Sequence, residues 1–421
     1  MNIAIVIVFI IGYIGIALEN PLRINKTATA LFTGVLCWVF YVFGNADKHL
    51  VTDQLYAHFG QIASLLFFLL SAMTIVEIID IHDGFELISR RITTLRKRKL
   101  LWIVGIVTFF LSAILDNLTT AIVMVSLLRK LIPDKEDRML FAGLVIIAAN
   151  SGGAWSPLGD VTTTMLWIGG QITALNIIKE LFLPSLVSLV VPLVIFSYKM
   201  KGKLAPTGDI DNSAGAKSTI EQKLILLFGI GALIFVPVFK TVTHLPPFMG
   251  ILLALAILWI VTELLHKRKD DPHDVISVAQ ALRTIDTPSV LFFLGILVAI
   301  AALESSGQLG QLAAYMNEEI GSLPIIGLGI GLLSAIVDNV PLVAATIGMY
   351  SLADYPPDHF IWEFIAYCAG TGGSCLIIGS AAGVAAMGIE KIDFVWYLKK
   401  ISWIALLGYF AGAMVYLAEN M

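Results

Sequence analysis

SAILDNLTTAIVM, residues 112–124, sets one aspartate in the middle of a 28-residue stretch (101–128) that is otherwise uncharged. The pattern returns at 334–346, SAIVDNVPLVAAT, inside a second stretch of 28 residues, 323–350. As a straight helix each stretch would reach about 42 Å, whereas a bilayer's hydrocarbon core is about 30 Å thick. Each must tilt strongly or turn back. An Asp-Asn pair near the midpoint suits a re-entrant helical hairpin whose tip sits at mid-membrane. Irregular backbone survives there only when buried in protein or lining a wet cavity.

Composition puts these stretches in a membrane. Mean hydropathy is +0.88 and only 14% of residues are charged, against about 25% in a soluble domain. Candidate spans are 2–18, 28–44, 60–79, 101–128, 139–167, 181–198, 221–240, 247–265, 288–304, 323–350, 360–389 and 394–417. Residues 2–18 lack a basic leader and a cleavage site, and read as a first span. Three cysteines, Cys37, Cys368 and Cys375, share no metal-binding or redox spacing. With both 28-residue stretches as hairpins and both termini outside, 24 of the 27 basic residues fall on the cytoplasmic side, leaving Lys48, Lys179 and Lys240 outside. A single crossing at 101–128 would scatter them over both faces, so the positive-inside rule favours hairpins.

The chain also resembles itself. LSAILDN (111–117) matches LSAIVDN (333–339), and NSGGAWSPLGD (150–160) aligns with GTGGSCLIIGS (370–380). The loop before the first hairpin holds six basic residues in RRITTLRKRK (90–99), while its counterpart at 305–322 holds none. The hairpins therefore enter from opposite faces. The expected fold is an all-α polytopic membrane protein of two inverted-topology repeats, each with a re-entrant helical hairpin and a broken transmembrane helix. The first repeat spans 1–198, with its broken helix at 139–167. A cytoplasmic linker follows at 199–220, and the second repeat spans 221–421, with its broken helix at 360–389. In such folds the substrate site lies near the midplane, where the halves meet.

An ionised carboxylate inside a membrane costs roughly 2.5–3.5 kcal/mol even on lenient scales. Asp116 and Asp338 thus need a cation, a proton or a basic partner, and no Lys or Arg lies within the hairpins or the glycine-broken spans. Oxygen does. The first half offers Asn117, Thr119, Thr120, Asn150, Ser151, Ser156, Asp160, Thr162, Thr163 and Thr164, the second Ser334, Asn339, Thr371, Ser374 and Ser380. Carboxylate, amide, hydroxyl and unwound-backbone carbonyl oxygens describe a hard-cation site, and the same carboxylates take protons. Asp and Asn also cap broken helix ends, which is compatible, since one oxygen can cap while the other binds an ion. Asp160 has only Ser380 as its counterpart. Glu77 reads as a proton-path residue or as an interfacial glutamate, and Glu304, ending its span, as interfacial.

These residues resemble a family. LDNLTTA and VDNVPL at the tips, followed by NSGGAWSPLGDVTT and GTGGSCLIIGSAAG, look like the NhaD-type sodium/proton antiporters of the ion transporter superfamily, over nearly the whole chain. The resemblance implies exchange of sodium or lithium against protons across a bacterial inner membrane, without a cofactor. It implies a homodimer with a scaffold part and a mobile transport part moving in an elevator manner. The matching positions are Asp116, Asn117, Asn150, Asp160, Thr162 and Thr163, with Ser334, Asn339, Thr371 and Ser374. Two depart from the pattern: Thr371 stands where a serine is expected, and Gly370 where the first half has Asn150.

Other readings compete. Carriers of citrate or dicarboxylates share the superfamily, but two tip aspartates would repel an anion. An arsenite efflux carrier is a further alternative, and a channel suits mobile inverted halves less well than alternating access. No enzyme motif or Walker spacing is present, and no nucleic-acid partner is expected.

Overall fold

The computed structural model describes residues 2–17, 19–89, 94, 96–200, 202–204, 220–266, 278–336 and 338–420. Most of the expected linker 199–220 lies outside the described residues, as do Lys267, Arg268 and Lys269 and part of the basic run at 90–99. Among the described residues the chain is helical, apart from an isolated bridge between Arg96 and Lys203. Eight helices are long and apolar enough to cross a bilayer. The protein is therefore an all-α, polytopic membrane protein.

The first half comprises α1 (Asn2–Ala17), α2 (Lys26–Gly44), α3 (Lys48–Ile81), α4 (Lys97–Leu115), α5 (Asn117–Leu131), α6 (Lys135–Ala154), α7 (Val161–Ile168) and α8 (Ala174–Lys199). The second comprises α9 (Ile220–Thr243), α10 (Pro247–His266), α11 (Thr287–Ser305), α12 (Gln308–Glu319), α13 (Leu323–Ser334), α14 (Asn339–Met349), α15 (Phe360–Gly372), α16 (Ala381–Glu390) and α17 (Phe394–Asn420). Polar side chains start many of them by taking orphan amides. Asn25 accepts from Thr27 N at 2.8 Å, Asp134 from Asp137 N at 2.8 Å and Asp286 from Ser289 N at 3.2 Å.

Two elements differ from the sequence reading. The third span begins at Lys48, not at residue 60, because Asp47 caps a polar stretch that hydropathy does not register. Residues 308–319, expected as part of a loop, form α12. Leu309 and Ala313, four residues apart, are its buried pair, as an amphipathic helix requires.

Helices group by contact. α1 packs on α2, α2 on α11, α9 on α10, and α10 on α3. In the other group α4 packs on α6, α13 on α15, α5 on α16, α14 on α7, α6 on α15, and α8 on α17. Exchanging α1–α3 with α9–α11, and α4–α8 with α13–α17, each in order, reproduces the pairings named here, whereas the packing of α11 on α14 has no comparable match between α3 and α5.

The ends of the breaking helices can be located from side-chain contacts. Lys97, starting α4, pairs with Asp137 at the start of α6 (2.5 Å). Arg129, near the end of α5, shares the buried Glu390 carboxylate (3.4 Å) with Arg138 of α6 (2.6 Å). Both feet of the α4–α5 pair thus stand at one end of the molecule, here the basic end. At the opposite end, Tyr350 just after α14 donates to Asn317 of α12 (3.4 Å), shortly before α13 begins. Tyr350 also packs on Tyr355, and Tyr355 on His359 at the start of α15. Asp358 there accepts from Thr173 N (2.6 Å) and Oγ1 (2.8 Å) in front of α8.

Glu390 is 1% exposed between its two arginines. Removing one partner of a buried pair costs about 3–5 kcal/mol; the 57% exposed Arg129 contributes little of that. Glu390→Ala is therefore expected to destabilise by about 3 kcal/mol, read as an earlier melting transition in detergent. An unchanged transition would mean that Arg138 finds water instead.

Candidate functional site

The asparagines of both Asp-Asn tips meet at one carboxylate beside the first helix break, and Asn150 ties the second break into the same network. Asp160 precedes α7 in extended conformation and caps it, its Oδ1 accepting from Thr162 N (2.9 Å) and Oγ1 (2.8 Å). Asn117, first residue of α5, donates from Nδ2 to Asp160 Oδ2 (2.5 Å) and to Asn150 Oδ1 (3.1 Å). Asn339, first residue of α14, donates to the same carboxylate at 3.2 and 3.3 Å. Asn150, in α6, completes the network by donating to Ser374 and Ser380, each at 2.9 Å. Asp160 is 1% exposed and Asn150 fully buried. This brings together Asn117, Asn150, Asp160, Thr162, Asn339 and Ser374 from the sequence-derived set. Ser380, one of the second half's candidate oxygens and the counterpart of Asp160, joins them while capping α16.

Asp116 and Asp338 occupy a neighbouring position. Asp116 has a positive φ of 91°, unusual for a residue with a side chain. Its two oxygens accept from Thr119 N and Thr119 Oγ1, each at 2.8 Å, which caps α5. With Asn117, Thr119, Thr164 and Ser289 it lines a cavity of about 60 Å³. Asp338 caps α14 more loosely, from Val340 N at 3.4 Å. Among the described residues, none of the three carboxylates forms a salt bridge. Thr120 Oγ1, one residue beyond Thr119, is buried and has no hydrogen-bond partner among the described residues. A buried hydroxyl left unsatisfied costs about 1–3 kcal/mol, so this one is available as a ligand.

The other expected site residues use their hydroxyls to hold the framework. Ser334 Oγ donates to Ala369 O (2.7 Å), as Ser112 does to Ala149 O (2.6 Å) in the first half. Ser151 shares a hydrogen bond with Ser188 of α8 (2.6 Å), and Thr371 donates to Tyr367 O (2.6 Å). Thr163 donates to the Asp160 carbonyl (2.9 Å). Glu77 lies near the end of α3, half-buried, with no hydrogen bond to the Asp160 network. Sequence reasoning missed Glu390 and also Glu363, 1% exposed, which accepts from Asn176 of α8 at 2.8 Å. Neither is marked by its own neighbours in the chain, since their partners lie 252 and 187 residues away.

Chemically, the centre offers a buried anion ringed by neutral amides and hydroxyls. That environment suits a small hard cation or a proton, which would use the same carboxylate oxygens. Comparison with known proteins agrees with this chemistry. A family model described as citrate transporter matches residues 6–363. Sodium/proton antiporter 1 of Arabidopsis thaliana is 51% identical over 421 residues, covering 100% of this chain and 73% of the relative. Sodium/proton antiporter 2 of the same plant is 48% identical, covering 98% of this chain and 99% of the relative. The Na(+)/H(+) antiporter NhaD of Vibrio cholerae is 30% identical, covering 99% and 91%. The family match over residues 6–363 and the 30–51% identities over nearly the whole chain make one conclusion: the chain belongs to the citrate-transporter family and, within it, to the NhaD-type sodium/proton antiporters.

Proposed function

We propose that the chain is a secondary active transporter exchanging Na⁺, or Li⁺, for H⁺ across a membrane, with Asp160 at the centre of the site. The observation that carries this is the convergence of Asn117 and Asn339, one from each half, on a single buried carboxylate. A carboxylate at membrane depth must be neutralised. With no basic side chain paired to it among the described residues, the neutralising species is the substrate cation or a proton. Because both need the same oxygens, loading one expels the other, and exchange follows. Sodium is the cation in the relatives' names, and lithium fits the same oxygens. Asp116, Thr120 and Asp338 complete the set of ligands in this reading, and Glu77 remains a candidate for the proton's path.

The family model's description favours a second reading, citrate transport. Three carboxylates within the site region argue against an anionic substrate, since like charges in a low-dielectric site repel strongly.

In this proposal α4–α5 and α13–α14 are re-entrant hairpins entering from opposite faces, and the halves are inverted repeats. Support comes from the shared feet of each pair and from the exchange symmetry of the helix contacts. The basic end is the cytoplasmic side, which leaves both termini outside. The group containing α4–α8 and α13–α17 would move against the other group, elevator-fashion, in a homodimer. The chain is a multi-pass membrane protein. A bacterial inner membrane rests on the bacterial relatives alone, and the higher identity to plant proteins weighs against confining the family to that setting.

Everted vesicles acidified by respiration test the reading, using a fluorescent ΔpH probe with NaCl, LiCl, KCl and sodium citrate dosed separately. Dequenching by NaCl and LiCl is the expected result. Citrate uptake without any response to the chlorides would replace this reading with the anion carrier. Asp116→Asn separates cap from charge, because the asparagine oxygen still accepts from Thr119 N. The variant is expected to reach the membrane folded and to lose exchange. Normal exchange would reduce Asp116 to a helix cap.

A further inference from the structure

Between the two helix groups at the opposite end lies a cavity of about 480 Å³. His58 and Leu65 of α3 and Ile300 and Glu304 of α11 form one wall; Met165 of α7 and Ala344 of α14 form the other. Met165 is five residues beyond Asp160, and Ala344 five beyond Asn339. At a 1.5 Å rise per residue the cavity therefore extends to about 7.5 Å from the central network along both helices. Its deeper walls are apolar. The Glu304 side chain faces this space and lies against Gly348, near the foot of α14. Among the described residues its carboxylate makes no hydrogen bond and no salt bridge. His58 is close enough to act on it electrostatically, but its Nε2 is engaged by Ser305 Oγ (3.1 Å).

We propose that this cavity is the route by which the cation reaches Asp160 from the opposite end, and that Glu304 recruits the cation into it. From sequence Glu304 is merely interfacial; its place on the wall of a cavity aimed at the site gives it this different role. Glu304 is exposed to this cavity, and a negative charge at the entrance of a cleft raises the local cation concentration. The other oxygens on the lining belong to neutral side chains, among them Gln61, Ser64, Gln171 and Ser351; they offer the ion no second charge, so it moves on to Asp160. Glu304 touches the route and not the central network, which makes it a determinant of access. The inference rests on the cation-exchange reading.

The test measures half-saturating sodium from each face separately. Radiosodium uptake into acid-loaded right-side-out vesicles loads the protein from one face, and uptake into everted vesicles loads it from the other. Glu304→Gln is expected to raise half-saturating sodium about tenfold from one face only, at the low end of the focusing effect, with the maximal rate retained. Glu304→Asp should restore it, and added choline chloride should narrow the gap by screening. Equal half-saturation in wild type and Glu304→Gln on both faces overturns the proposal, and so does an equal rise on both, which marks a structural defect. Should Glu304→Gln fail to fold, Ala301→Cys in the otherwise native cavity decides instead. With each rate divided by that of the same reagent on a free thiol, faster modification by a cationic than by an anionic methanethiosulfonate supports the charge filter, and equal ratios refute it. If wild-type vesicles show no sodium-dependent flux at all, the exchange reading itself has failed, which is a separate outcome.

Discussion

Asp160→Asn is expected to abolish sodium exchange while leaving folded protein in the membrane. The aspartate does two jobs that the substitution separates. As the cap of α7 it accepts from Thr162 N, and an asparagine oxygen serves there about equally well. As the anion at the centre it accepts two tip amides and supplies the only full charge in the hydrogen-bonded network. Loss of one partner from a buried charge pair costs about 3–5 kcal/mol. At about 1.4 kcal/mol per decade, sodium affinity should fall by about two to three and a half decades. The new amide also points donors at donors, since Asn117 and Asn339 already offer theirs. Sodium titration of proteoliposomes, alongside size-exclusion profiles, checks the result. A sharp monodisperse peak with unaltered sodium affinity would move the site elsewhere.

Gly152→Ala is expected to be among the most destabilising single methyl additions to the chain, alongside Gly372→Ala. α6 crosses α4 so closely that a Cβ on Gly152 would overlap the Phe109 carbonyl oxygen, and one on Gly372 would overlap the Gly331 carbonyl oxygen where α15 meets α13. Neither obstacle is a side chain that can swing away. Alanine would ordinarily gain about 1 kcal/mol of helix propensity over glycine. Overpacking against backbone costs about 1–3 kcal/mol or more, and the clash wins. Gly152→Ala and Gly372→Ala should both melt markedly earlier than wild type. Gly231→Ala, with nothing within 4 Å of the new methyl, should melt no earlier. A Gly152→Ala variant as stable as Gly231→Ala would show that α4 and α6 can separate without penalty.

Those two glycines were legible from sequence within NSGG and GTGG, although the unwinding expected there begins only after them, since α6 runs through Ala154 and α15 through Gly372; the tips at Asp116 and Asp338 were legible too. Each announces itself locally, as a charge or a run of glycine in an apolar stretch. What sequence could not rank was the carboxylates. Asp116 and Asp338 stand out in their hairpins, yet the centre of the network is Asp160, whose partner Asn339 lies 179 residues away. Only folding brings the second tip to it. The hydroxyls of Ser151, Ser334 and Thr371 also bond helix neighbours, partners that depend on side-chain direction. α12 escaped because its apolar positions are too few for a hydropathy window, although their spacing is helical. The role of Glu304 escaped for a different reason: a cavity between α3, α7, α11 and α14 exists only when all four are assembled.

The central claim is that a cation and a proton compete for the Asp160 carboxylate. Sodium binding to purified protein, followed calorimetrically in two buffers of different ionisation enthalpy across a pH series, tests it most directly. Competition predicts that sodium binding releases protons, that affinity strengthens as pH rises until the site is fully ionised, and that both effects vanish in Asp160→Asn. Sodium binding without proton release, at an affinity independent of pH and intact in Asp160→Asn, would contradict the account.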